Sequence, residues 1–263
     1  MRVNDMNDTV LQQAVVVDLD GTLLHTEPEA IEVRGQSGCS YMSRAALDYL
    51  RAISAYLPIV IATGRNAQSV QRLVSQTTGV GYTGFVMEHG LVARHSLNTV
   101  SDQVSPWLPL ISLLCTWRQL PGYERCLGVI PPPDLAKPRD VLQQALAITH
   151  LQGTIHEEGH KFFVCPIEPD KMVGLRSLNI EPLFALGNGL NDLSMLAAST
   201  YAITLSTAEP EVRAVVAAQS GYCSALCSHH ATADMLAWVL DHLRHRVLWT
   251  PDAVHNLLGV AET

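Results

Sequence analysis

What the chain lacks narrows its uses first. No uninterrupted apolar stretch is long enough to span a bilayer, and the polar start, MRVNDMNDTV, has no hydrophobic region of the kind that directs secretion. No run of lysine and arginine stands out. The formal net charge of −8, from 17 basic and 25 acidic residues, gives nucleic acids and anionic membranes little to hold. Cysteines are few and scattered, six in 263 residues, and a chain of this length does not need disulfides to fold. Charged residues are also scarce, at 16%, whereas apolar residues reach 48%. That composition supplies a substantial core and excludes an intrinsically disordered chain. The expectation is a reduced, cytoplasmic protein with no nucleic acid and no membrane among its partners, built as one large domain or two smaller ones. One group of metal-binding residue types, Cys223, Cys227, His229 and His230, fits none of the standard paired zinc spacings and lacks a second half-site. It reads as incidental residues near a strand-to-helix connection.

What is present is an alternation of apolar runs and amphipathic stretches. AVVVDL at 14–19 and LPIVIAT at 57–63 look like strands buried on both faces, and GFVM at 84–87 looks like a third. Between the first two, Ser43 caps a helical pattern in which Ala46, Leu47, Leu50, Ile53 and Ala55 recur. A helix with Val70, Leu73 and Val74 follows the second. Strands alternating with helices imply right-handed crossovers and an α/β fold with a doubly wound, Rossmann-like parallel sheet. From about 91 to 165 the pattern changes to helical stretches at 107–119 and 134–147, prolines at 131–133 and strand-like pieces at 124–130 and 161–167. This segment reads as an inserted α+β domain, with 1–90 and 166–263 forming the core. The first pattern then resumes: strand 183–186, helix 191–198, strand 201–205, helix 209–218 and a last amphipathic helix at about 232–246. The tail, 247–263, carries enough apolar residues to pack on the core or on a partner.

The polar residues that follow these strands carry the chemistry. In open α/β sheets, reactive groups gather beyond the carboxyl ends of the strands. The first strand runs into Asp18-Leu19-Asp20-Gly21-Thr22. Two aspartates one residue apart at such an edge are costly unless a cation pairs with them. One can attack while the next serves as acid and base. The second strand runs into Thr63-Gly64-Arg65, where a hydroxyl beside free backbone N–H groups makes a phosphate-oxygen site. Lys171, ahead of a short helix, can neutralise both a phosphate and a carboxylate. Lys161 is its rival but has strand-like neighbours. The stretch Gly187-Asn188-Gly189-Leu190-Asn191-Asp192 combines carboxylate and carboxamide oxygens, the ligands of a hard cation such as magnesium.

In this order the residues resemble the haloacid dehalogenase (HAD) superfamily of phosphohydrolases. VVVDLDGTLL matches its nucleophile motif, and IATGR, Lys171 and GNGLND match the second, third and fourth motifs. The insertion between the second and third motifs, with MEHG at 87–90, is similar to the type-IIB cap subclass of sugar-phosphate phosphatases and Cof-like enzymes. The resemblance implies an Mg²⁺-dependent phosphoric monoester hydrolase acting on a small phosphorylated substrate, a sugar phosphate foremost. Asp18 would be the nucleophile that forms an aspartyl-phosphate, and Asp20 the acid that protonates the leaving group and then activates water. Thr63, Gly64 and Lys171 would bind the transferring phosphoryl, with Asn191 positioning that site. Asp18, Asp20, Asn188 and Asp192 would hold the metal. Asn188 departs from the family, which usually has aspartate there, and the expected consequence is weaker metal affinity. Two alternatives stand beside this reading: a phosphomutase of the same cap class, and a weakly active or non-catalytic binding protein. Trp107, Trp117, Tyr123, Arg125, His156 and His160 are candidates to line a sugar pocket, or else cap core and solvated surface. Oligomeric state is not readable.

Overall fold

The computed structural model describes residues 11–35, 38–98 and 105–248. It opens with β1 (Gln12–Val17) and a hairpin, β2 (Ile31–Arg34) and β3 (Cys39–Met42). Then come α1 (Arg44–Ser54), β4 (Ile59–Ala62), α2 (Ala67–Gln76), β5 (Tyr82–Met87) and β6 (Val92–Arg94). The insertion holds α3 (Leu108–Leu113), β7 (Arg118–Leu120), β8 (Leu127–Ile130), α4 (Pro138–Thr149), β9 (Thr154–Glu158) and β10 (Lys161–Cys165). The chain finishes with α5 (Lys171–Ser177), β11 (Ile180–Leu186), α6 (Leu193–Ala198), β12 (Tyr201–Leu205), α7 (Pro210–Ala218), β13 (Tyr222–Ser224) and α8 (Ser228–Leu248).

The large sheet has the order β13-β12-β11-β1-β4-β5-β6, with its pairs parallel except β5–β6. Val15, Val16 and Val17 are fully buried because helices cover both faces of β1, which is why the run is continuously apolar instead of alternating. The chain winds from β1 toward β4 and β5, then returns to β11 on the other side of β1. That reversal opens a crevice beyond the carboxyl ends of the strands. Ser43 caps α1 by accepting the Ala46 N–H, and Asn66 caps α2 by accepting the Ser69 N–H.

The cap sheet is antiparallel, ordered β7-β8-β10-β9, and packs its own apolar cluster around Trp107, Leu110, Leu142 and Phe162. The expected boundary at 90/91 falls just before β6, which adds an antiparallel edge strand to the large sheet. Helix 107–119 is corrected: only Leu108–Leu113 is helical, and the backbone turns at Trp117 so that its indole meets Phe162 before β7 begins. The 134–147 helix starts instead at Pro138, whose fixed φ suits a first helical turn.

Candidate functional site

Asp18 is the first residue beyond β1, and its N–H still donates to the Leu186 carbonyl of β11, 2.9 Å away. The chain then folds back on itself, with the Thr22 and Leu23 N–H groups both donating to the Leu19 carbonyl. Gly21 makes the turn possible at φ +79°, and a Cβ there would lie 2.4 Å from the Asn188 side-chain nitrogen. The nucleophile-type turn and the GNGLND loop are therefore packed directly together. Across the same contact the Thr22 hydroxyl donates to Asn188 Oδ1 over 3.0 Å.

Lys171 is wholly buried at the start of α5, positioned by Asp170, which caps the helix by accepting the Met172 N–H. Its Nζ donates to Asp18 Oδ1 at 2.7 Å and Asp192 Oδ1 at 2.5 Å. Asp192, equally buried, accepts the Asn188 and Gly189 N–H groups on its other oxygen, each at 2.9 Å. Lys161, the rival, begins β10 and lines the cavity from the cap side instead. Two buried carboxylates against one ammonium leave an excess negative charge. Burial, and after it the Asp192 charge, pushes the Asp18 carboxyl up to about 7, even with Lys171 opposing. The two carboxylates raise the Lys171 ammonium above its ordinary value despite its burial.

Asp20 points into the cavity with 60% of its side chain exposed. Arg65 grips it with two hydrogen bonds, Nε to Oδ2 at 2.7 Å and Nη2 to Oδ1 at 2.5 Å. The surrounding protein pushes this carboxyl up, but the Arg65 hydrogen bonds and charge outweigh that and hold it below its ordinary value. Arg65 is braced by the Ser40 hydroxyl of β3. Thr63 is buried, its hydroxyl accepting the Arg65 N–H over 3.1 Å. Gly64 is required by its neighbour: a Cβ there would sit 2.3 Å from the His89 ring.

A cavity of about 570 Å³ lies between the two sheets. Of the residues expected at the site, Asp18, Asp20, Gly64, Asn188 and Asn191 line it. Thr63, Lys171 and Asp192 stand behind that wall, fully buried. Asn191 donates to Glu158 Oε1 of the cap at 3.2 Å. From the pocket candidates, Tyr123 and His156 line the cavity, whereas Trp107 and Trp117 are buried in the cap core. His160 is exposed, and Arg125 takes part through its backbone.

Besides Arg65, which the sequence showed only as part of the Thr63-Gly64-Arg65 turn, three residues were not singled out as site residues from the sequence. Glu88 and His89, in a turn with φ of 49° and 59°, are buried after β5. Glu88 accepts the backbone N–H groups of Glu124, Arg125 and Cys126 at 2.6, 2.8 and 2.9 Å, fastening the cap to the large sheet. Burial raises its carboxyl, offset in part by those three bonds. The available signal was MEHG itself, two polar side chains between apolar neighbours. Glu158 gave no such signal. Elsewhere, Cys223 and Cys227 are exposed and His229 bonds the Glu27 carbonyl, so no zinc cluster assembles there among the described residues. Among those residues no helix is long and apolar enough to cross a membrane. The tail beyond residue 248 lies outside the described residues.

The backbone is similar to several solved structures. A haloacid dehalogenase-like hydrolase from Bacteroides thetaiotaomicron superposes with a TM-score of 0.65 at 15% identity, over 88% of this chain and 99% of that one. A sugar phosphatase of HAD subclass IIB gives 0.59 at 15% identity, over 88% and 99%. The sucrose-phosphatase of Synechocystis, solved with sucrose and phosphate, gives 0.55 at 17% identity, over 89% and 98%. No protein-family model and no curated protein matches the chain.

Proposed function

The chain has the fold of the haloacid dehalogenase-like hydrolases, type-IIB cap included, and from that premise we propose that it is a magnesium-dependent phosphatase of a small phosphorylated metabolite, a sugar phosphate foremost. One observation carries the reading: the buried Asp18–Lys171–Asp192 chain of ion pairs ends at the cavity wall beside Asp20.

Lys171 holds Asp18 Oδ1, so attack on phosphorus falls to Oδ2. The Asp18–phosphorus bond forms as the ester P–O bond breaks, giving an aspartyl-phosphate and an alkoxide that takes a proton from Asp20. Asp20 then removes a proton from water, which attacks phosphorus, releases phosphate and returns Asp18. The Arg65 hydrogen bonds favour the ionised form of Asp20, so proton donation would require that grip to open. The Gly64 turn would receive the equatorial phosphoryl oxygens, braced from behind by the buried Thr63, whose hydroxyl accepts the Arg65 N–H, with Asn191 positioning the loop beside them.

The donor set fits magnesium: a carboxylate on Asp18, the Asp20 backbone carbonyl and the Asn188 amide oxygen are hard oxygen ligands at a site with excess negative charge. Asp192 would act through its charge, since its oxygens already bind Lys171 and the loop N–H groups. When bound, the ion supplies charge neutralisation between the Asp18 carboxylate and the phosphate dianion.

A screen of sugar phosphates with magnesium tests the reading. Inorganic phosphate is expected from at least one substrate, and Asp18→Asn is expected to abolish release. Silence across the screen, or full activity in that variant, rejects it.

A further inference from the structure

Beside the phosphoryl pocket lies a cluster that the proposed hydrolysis does not use. His89 sits in the turn after β5, and His156 and Glu158 lie on β9 of the cap. Positions 156 and 158 are two apart on a strand and so share one face. The His89 and His156 ring centroids are 4.7 Å apart. His89 Nδ1 is 3.7 Å from Glu158 Oε1, and His156 Nε2 is 3.9 Å from the same oxygen. One ligand-type atom from each residue falls within 4.8 Å of the others.

His89 is the member that points to a ligand. Its side chain is 1% exposed, and neither ring nitrogen has a hydrogen-bond partner among the described residues. Buried polar atoms are almost always satisfied, so two on one ring call for an explanation. Ring contacts with Phe163 and His156 give neither nitrogen a hydrogen-bond partner. The placement is also demanding, because the backbone is left-handed at φ 59° and only a glycine at position 64 leaves room for the ring. Burial holds the imidazole well below its ordinary pKa, with His156 and Lys171 adding to that.

We propose that His89, His156 and Glu158 form a site for a zinc-class divalent ion, distinct from the magnesium position, that ties the cap to the large sheet. Two imidazoles and one carboxylate are a zinc ligand set with one position left open, and imidazole is a poor ligand for magnesium. Zinc bonds of about 2.0–2.1 Å in a tetrahedron place ligand atoms roughly 3.3 Å apart, so the observed separations close with small side-chain rotations. Two ligands come from the cap and one from the core, so the bound ion fixes β9 against the Glu88–Gly90 turn. Glu158 already accepts a hydrogen bond from Asn191, which places the ion's carboxylate ligand at the edge of the phosphoryl pocket. The site does not depend on the hydrolytic reading.

The test is Zn²⁺ binding to the full chain in excess Mg²⁺, by competition with a chromophoric chelator, alongside Co²⁺ titration followed in the visible. His156→Ala and Glu158→Gln are the variants, because both residues are partly exposed on the cap, and thermal melting confirms that they fold. One tight Zn²⁺ per chain is expected, with a rise in Tm and Co²⁺ ligand-field bands. Either variant should weaken binding tenfold or more and lose the bands. Asp18→Asn should leave zinc binding intact, which separates this site from the phosphoryl pocket. Absence of zinc binding by the wild type in excess Mg²⁺, or unchanged binding in both variants, overturns the proposal.

Discussion

The two walls of the cavity handle charge in opposite ways. On the large sheet, Lys171 and Asp192 are completely buried and Asp18 nearly so, and they are tied together by hydrogen bonds of 2.5 and 2.7 Å. On the cap, His156 and Glu158 keep 25% and 38% of their side chains exposed and meet at 3.9 Å, beyond hydrogen-bond length. Buried charge must be matched by partners for the chain to fold at all. The sheet wall is therefore preorganised, the property a phosphoryl-transfer site needs. Partly exposed groups carry no such demand, so the cap can change these residues at little cost to folding.

Lys171→Met is the harshest test of that contrast. It leaves the Asp18 and Asp192 carboxylates buried without their shared cation, and a loss of about 3–5 kcal/mol in urea denaturation is expected, as when one member of a buried ion pair is removed. Phosphate release should fall to background. Lys161→Ala, across the cavity on the cap, should shift stability by less than about 0.5 kcal/mol and act on KM instead. Equal stability losses in the two variants would erase the distinction.

Glu88→Ala attacks the junction between the walls. Three backbone N–H groups at Glu124, Arg125 and Cys126 lose their carboxylate acceptor, and a destabilisation of about 1–3 kcal/mol is expected. Faster amide exchange confined to residues 124–126 and their neighbours would locate the effect. Uniform loosening of the large sheet would contradict it.

How much was legible follows the same division. The valines of β1 and the Asp18-Leu19-Asp20-Gly21 turn were readable because continuous burial and edge carboxylates leave distinct patterns. The strand-like neighbours of Lys161 set it apart from Lys171 in the sequence, but the pairing of Lys171 with Asp18 and Asp192 is visible only in three dimensions. The β2–β3 hairpin, β6, β13 and the cap strands β7 and β9 were missed. TIHEE in β9 has one large apolar residue, and its pairing with β10 rests on backbone bonds that composition does not reveal. Glu88 escaped because its partners are backbone N–H groups 36–38 residues away.

The pH profile sharpens the sheet side. Asp18 titrates at about 7 in the fold against 3.8 ordinarily. A carboxyl raised in this way binds its proton more tightly folded than unfolded, so its contribution to stability falls as pH rises from about 4 to 7 and is level above that. Attack needs the ionised form, so at low magnesium activity should decline as pH drops through about 7. Asp192→Asn removes the neighbouring negative charge that helps raise Asp18, and the acid limb should move to lower pH. A limb that moves to higher pH would contradict that electrostatic assignment.

Asn188 gives the smallest effect and decides the most about the site. Its amide already accepts from the Thr22 hydroxyl and packs on Gly21, so Asn188→Asp is nearly isosteric and adds one charge to a wall with two carboxylates and one ammonium. Without metal the added charge should raise the Asp18 carboxyl further and lower stability. With metal it should tighten magnesium binding by about tenfold, the equivalent of about 1.4 kcal/mol. Magnesium titrations of phosphate release separate the outcomes. A half-saturating concentration that drops with the maximal rate unchanged makes the amide a tuner of affinity. A wild type that stays silent while Asn188→Asp turns over makes it a switch that holds the catalyst off. Silence in both, beside an intact Asp18–Lys171–Asp192 chain, leaves a binding protein that keeps the preorganised wall for recognition alone.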